Sequence, residues 1–415
     1  MYAGMNNTAN VYYAFPTTLL INKDLKWETT ITRNIGIDFA LLNNRINGTI
    51  DAYWNTTKDL LIQTPIPPYS GYREQIRNIG QTSNRGLEIT LNGTILKNKD
   101  YSLSASFNIS FNRNKVDKLD GADSKYYRSY WLATDLRETN DYLLQVGQSV
   151  GLMYGYVTDG FYTVDDFQEG EGNWKLKPGV VNSQGVTRSL GGSGGNPLVG
   201  SLKLKKLTPV DPNNPDSYNV TIDDRTVIGD ANPIHTGGFS LSGNYKNIDL
   251  SVFFNWSYGN DVYNAQKIMN TTTWKYKYYN MSTLVDSQHR FSIYNAEGND
   301  LRTDKEAMKA YNANASIWNP AMQSCVFHSW AVEDGSFLRL SNITLGYSLP
   351  TKWIKKAHIS KARFYVTANN LHVWTKYSGF DPEVNTRRTT PLTPGVDYSA
   401  YPKARSFTFG TNITF

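Results

Sequence analysis

The stretch PVDPNNPDSYNVTIDDR, residues 209–225, brings Asp211, Asn213, Asp216, Asp223 and Asp224 close together. These are hard oxygen donors of the kind that calcium takes. Their spacing is not that of a helix–loop–helix calcium site, and no glycine marks the sharp turn such a loop needs. A plain polar loop uses the same residues, and no metal ligand is assigned. The five histidines, His235, His289, His328, His358 and His372, include no H-E-x-x-H pair. GGSGGNPLVGS (191–201) lacks the G-K-[ST] of a phosphate-binding loop and reads as a flexible segment. Cys325 is the single cysteine, so no internal disulfide forms and a thiolate zinc site has no ligands. No motif pairs an acid with a base or a nucleophile with an activating histidine. The expectation is no enzyme, no cofactor and no catalytic residue.

The elements that hold these residues are strands. The 415 residues include 10 Trp, 28 Tyr and 17 Phe, yet the mean hydropathy is −0.48. Abundant rings in a hydrophilic chain suit a membrane β-barrel, whose strands show one face to lipid and one to a wet lumen. No run of 18 apolar residues exists, which excludes a membrane-spanning helix. The first ten residues, MYAGMNNTAN, do not read as a signal peptide. A net charge of +6 is spread thinly, with LKLKKL (202–207) its densest patch, and gives no reason to expect nucleic acid.

Side chains alternate with a period of two in segment after segment, the signature of a strand between two environments. YSLSASFNISF puts Tyr101, Leu103, Ala105, Phe107, Ile109 and Phe111 on one face, with serines and Asn108 on the other. RINGTIDAYW, GLEITLNGTI, NIDLSVFFNWSY and ARFYVTANN repeat the pattern. About ten such segments occur, most near the roughly ten residues a tilted membrane strand needs. Short polar turns join some of them, at 41–47, 96–102 and 244–250, while residues 163–236 and 265–335 show little periodicity. Short turns on one side and long loops on the other are the barrel arrangement. The apolar faces end in Trp54, Trp256 and Tyr258, as in an aromatic girdle. A β-sandwich is the competing architecture. The chain closes on SFTFGTNITF, whose Phe407, Phe409, Ile413 and Phe415 share a face.

NKDLKWETTITRNIGIDFALLNNRINGTIDAYWNTTKDLL (22–61), NIGQTSNRGLEITL (78–91) and VGLMYGYVTDGFYTVDDF (150–167) resemble, in order, the barrel segments of the SusC/RagA-like TonB-dependent transporters. So do residues 223–264, VEDGSFLRLSNITLGYSLP (332–350) and NNLHVWTKYSGFDPEV (369–384). The resemblance covers nearly the whole chain. It implies an all-β fold: a transmembrane antiparallel β-barrel of the TonB-dependent receptor type, with residues 1–415 as its C-terminal portion and long extracellular loops. The family's plug, TonB box and signal peptide are expected to be absent from this chain. Where the family has a compact acidic D-x-N-x-D-G loop before DR, this sequence is longer and broken by proline.

The resemblance further implies an outer-membrane location and TonB-driven import of large nutrients, oligosaccharides first and peptides as the alternative. A SusD-like lipoprotein, the TonB complex and outer-membrane lipid would be the partners. A passive pore or surface binding barrel is the competing function. Phe407, Phe409, Ile413 and Phe415 match the terminal aromatic signal by which such barrels are recognised for insertion. Loops 112–147 and 265–335 would face substrate and lid. Their aromatic residues Tyr126, Tyr127, Tyr130, Trp131, Trp274, Tyr276 and Trp318 are candidates to stack on sugar rings. Packing within the loops is the other use of the same rings.

Overall fold

The computed structural model describes residues 3–5, 11–13, 19–132, 136–137, 140–168, 174–192, 194–273, 280–386 and 390–415. Nine strands form one antiparallel meander: β1 (Thr29–Leu41), β2 (Ile46–Pro65), β3 (Glu74–Lys97), β4 (Tyr101–Lys118), β5 (His235–Tyr245), β6 (Ile248–Tyr258), β7 (Phe337–Ser348), β8 (Lys361–Thr375) and β9 (Ser406–Thr414). Each pairs with its sequence neighbour, and Leu19–Leu20 lies parallel to the start of β3 as a tenth strand of the sheet. Among the described residues the outer edges of β1 and β9 are unpaired.

The alternation decides which face is which. Ile35, Ile37, Leu241, Leu250, Leu345, Phe364 and Phe409 are exposed on one face, where no protein core covers them. On that face Phe239 stacks on Phe254 at 4.5 Å between ring centres, and Phe107 on Trp256 at 5.7 Å. Lipid is the solvent that stabilises such a surface. The opposite face carries Asn, Ser and Thr with some charged residues, among them Asp51, Glu88 and the Arg363–Asp249 pair, and lines the lumen.

Short turns join β1–β2, β3–β4 and β5–β6 at one end, as expected, and a short helical stretch, Thr351–Ile354 and Lys355–Ala357, joins β7–β8 there. The other end carries the connections 119–234, 259–336 and 376–405. The strands leading into that end outrun the membrane. β3 has 24 residues, about 80 Å of extended chain at ~3.4 Å per residue, where roughly 9–11 span the bilayer. Residues 112–118 therefore continue β4 rather than begin a loop.

The long connections differ from the aperiodic loops their composition suggests. They fold into a body with cores of its own. One cluster joins Trp131, Tyr142, Met153, Tyr263, Ile268, Cys325, Phe327 and Val396, drawing on all three connections. A second is built on Tyr156, Leu202, Leu204, Val285, Ile317, Trp318 and Met322. A third is built on Tyr162, Phe167, Phe291 and Met308. Each segment contributes too few apolar residues to show a period, and together they bury one another.

Candidate functional site

The lumen wall is where strand register brings dispersed polar residues into rows. One row crosses eight strands as Asn47, Asn92, Ser106, Ser240, Phe253, Asn342, Asn369 and Ser406. Its members bond sideways. Ser106 Oγ donates to Asn92 Oδ1 at 2.7 Å, Asn342 Nδ2 to Asn369 Oδ1 at 2.7 Å, and Asn369 Nδ2 to Ser406 Oγ at 3.1 Å. Higher up, Asn55, Asn84 and Asn114 form a second row, and Asn114 Nδ2 donates to Asn232 Oδ1 at 2.8 Å. Asn55 Oδ1 is buried with no hydrogen-bond partner. These groups are uncharged and can both donate and accept.

Phe253 breaks the polar row. It is 41% exposed and lies over Gly238, where a Cβ would come within 3.1 Å of its ring. The missing side chain at Gly238 lets the ring lie against the wall with its other face open. Above it, a cavity of about 650 Å³ is lined by Asn108, Thr236, Phe253, Asn255 and Asn260 and covered by 382–385. A neighbouring cavity of about 730 Å³ holds Asn55, Asn84, Asn114 and Asn232. The sequence marks the amides through alternation. It hides Phe253, which VFFNW presents beside the membrane-facing Phe254.

The loop covering the first cavity is held by charge. Arg339 reaches Asp381 at 2.6 Å and Glu383 at 3.0 Å, and Lys403 meets Glu383 at 2.6 Å. Nearby, Tyr377 donates to Asp397 at 2.6 Å. Burial, opposed by that bond, raises the Asp397 carboxyl above its ordinary value.

The candidate loop aromatics separate. Tyr126 and Tyr130 are exposed, and Tyr127 is half-buried. Trp131 and Trp318, both 3% exposed, sit inside the loop body. Trp131 Nε1 donates to Tyr263 Oη at 2.5 Å, and Trp318 packs edge-on to His328 and Trp330. Neither offers a ring face to the outside, because the folded connections enclose both. Trp274 and Tyr276 lie outside the described residues. Phe407, Phe409, Ile413 and Phe415 are all exposed. Those within β9 lie on its membrane-facing side, through pairs such as Phe409 with Val366.

The acidic stretch has a different role from the one its donors suggest. Asp224 is buried and accepts from the backbone of Leu207 (2.9 Å), Thr208 (2.8 Å) and Thr221 (2.8 Å). Lys206 Nζ stands 2.8 Å from it, where a cation would sit. Burial opposes its charge, but the Lys206 ammonium and these donors outweigh that and hold the carboxyl well below its usual range. Among the described residues no group of three or more His, Cys, Asp or Glu could hold a metal.

Comparisons with known proteins agree with this geometry. Residues 2–192 match the family model "TonB dependent receptor-like, beta-barrel". The chain is 32% identical to TonB-dependent receptor P3 of Formosa agariphila over 95% of its own length and 35% of that protein. It is 28% identical to TonB-dependent receptor SusC of Bacteroides thetaiotaomicron over 98% of its length and 34% of that receptor. The solved RagAB peptide transporter overlays all of it with a TM-score of 0.69 at 25% identity, the chain covering 38% of that structure. The chain thus spans about a third of the length of the curated relatives it matches. The matched family is one of receptors, not enzymes. A wall of membrane-length strands, short turns at one end and a folded loop body at the other are the features of a TonB-dependent receptor β-barrel, and along nearly its whole length the chain is similar to the SusC/RagA-like receptors of the outer membrane.

Proposed function

We propose that the chain forms part of an outer-membrane, TonB-driven importer of large nutrients, with oligosaccharides as the substrate class. The observation that carries this reading is the set of uncharged amide and hydroxyl rows of the lumen wall, which alternate with charged residues such as Asp51, Glu88 and the Arg363–Asp249 pair. Rows of Asn, Ser and Thr bond sideways and still present donors and acceptors to a hydroxyl-rich guest. Phe253 on the wall and Tyr126 and Tyr130 in the loop body add open rings. In this reading the plug and the segment that TonB grips belong to the length of the relatives that this chain does not span. A SusD-like lipoprotein would cover the loop body, and Phe407, Phe409, Ile413 and Phe415 would serve barrel assembly.

Peptide import is the second reading, favoured by the likeness to the RagAB peptide transporter. Deleting the gene and measuring growth on single oligosaccharides and on peptides decides between the two. Loss on an oligosaccharide alone supports the first, and loss on peptides alone the second. Unchanged growth on every substrate sinks both. Uptake that persists after TonB is depleted makes the barrel a passive pore.

A further inference from the structure

We infer that the membrane-facing wall carries a site for one phospholipid of the periplasmic leaflet, its acyl chain in a groove beside Gly93 and its phosphate on Arg45. The groove arises from a step in the wall. The β1–β2 turn ends where Ile46 pairs with Gly93, but the β3–β4 hairpin runs on through Lys97 and Tyr101. At the step, the membrane-facing row reads Ile46, Gly93, Ala105, Leu241. The two small residues leave a dent. A Cβ at Gly93 would meet nothing nearer than the Arg45 carbonyl at 3.9 Å. The resulting hollow of about 440 Å³ is walled by Leu42, Ile46, Leu91, Ile95 and Phe107. That lies within the roughly 300–1,000 Å³ of ordinary ligand sites.

Two features give this apolar hollow a polar end. The β3 ladder is interrupted between Thr94 and Leu96, a bulge that frees carbonyls from strand pairing. Arg45 Nη2 donates to the Ile95 carbonyl at 2.9 Å, which anchors the guanidinium at the mouth of the groove. The side chain is exposed, and a guanidinium has further donors suited to two phosphate oxygens. Leu42 adopts the left-handed region, φ 54°, which L side chains disfavour, and is exposed at the rim of the hollow.

Depth and charge select the occupant. Short turns mark the periplasmic end of an outer-membrane barrel, so Arg45 stands at headgroup level. An apolar chain that ends in an anion satisfies both the groove and the arginine. Free phosphate leaves the groove empty, and a neutral diglyceride leaves the arginine unmatched.

Native mass spectrometry of the intact gene product, purified from outer membranes in mild detergent, tests this with added dioleoylphosphatidylglycerol, dioleoylglycerol and inorganic phosphate as probes. One retained phosphatidylglycerol is expected. Gly93→Leu and Ala105→Leu, each filling the dent, should lower its occupancy roughly ten-fold. Arg45→Gln should lower phosphatidylglycerol retention and leave dioleoylglycerol retention unchanged. Ile37→Val, elsewhere on the lipid-facing wall, should change neither. Heat-modifiable migration in gels verifies that each variant has folded, and Ala105→Leu replaces Gly93→Leu if the latter fails. The inference is overturned if the parent protein retains no more phospholipid than the filled variants. Loss of lipid from Ile37→Val to the same degree, or displacement by inorganic phosphate alone, overturns it equally.

Discussion

Asp224 shows how far one carboxylate can organise a loop. It holds Lys206 and three backbone N–H groups inside the protein. Asp224→Ala leaves the ammonium buried without its partner, a loss of roughly 3–5 kcal/mol. Limited proteolysis should then cut within 206–224 faster than in the parent. His328 and Asp141 make the loop body respond to pH in opposite senses. Burial, then the Lys267 ammonium, lower the His328 pKa from 6.5 to about 3. The unfolded segment therefore binds the extra proton between those values, and stability falls as pH drops through that window. From pH 7 to 5 the loss is roughly 2 kcal/mol. Burial, opposed by bonds from Ser129, raises the Asp141 pKa from 3.8 to about 6. The folded state keeps that proton better, which returns roughly 1 kcal/mol over the same fall. Acidification should thus weaken protection of 325–331 in hydrogen exchange, and in His328→Gln it should strengthen it. Protection that falls equally in both proteins would refute this assignment.

At the scale of strands, the sequence was most legible where lipid and water face each other across one strand. YSLSASFNISF and NIDLSVFFNWSY alternate without a break, and both lie in β4 and β6 as read. The turns at 41–47, 96–102 and 244–250 were equally plain, because polar residues separate one alternating run from the next. The pattern fades in EQIRNIGQTSN at the start of β3. Such residues rise above the bilayer, where both faces are wet or packed under the loop body, and the period loses its cause. Of the candidate site, the amides were visible as the polar phase of each strand. Their union into rows depends on register, which no single segment specifies. The burial of Trp131 and Trp318 depends on partners more than a hundred residues away. The last strand carries a prediction of its own. Phe409, 81% exposed, projects from β9, and Phe415 follows its last paired residue, so neither side chain supports the ladder. Phe415→Ser should leave backbone pairing intact yet lower the amount of heat-modifiable barrel in outer-membrane fractions. An undiminished yield would confine these rings to lipid contact.

Across the whole molecule, the two unpaired edges of β1 and β9 govern what the chain can do by itself. Each presents a row of backbone donors and acceptors that hydrocarbon cannot satisfy. The 415 residues alone, refolded in detergent, should give oligomers and no heat-modifiable monomer. A sharp, heat-sensitive monomer band would show that the nine strands close on themselves, and the passive-pore reading would lead. One further property follows from the core of the loop body. Cys325, the sole thiol, is enclosed there. In the 415-residue segment, a cysteine placed at exposed Tyr126 or Tyr130 would then be the only site a maleimide dye could reach. A reporter could be set on the loop body of that segment without first removing Cys325. Motion of that body within the segment could be followed optically with a single residue changed.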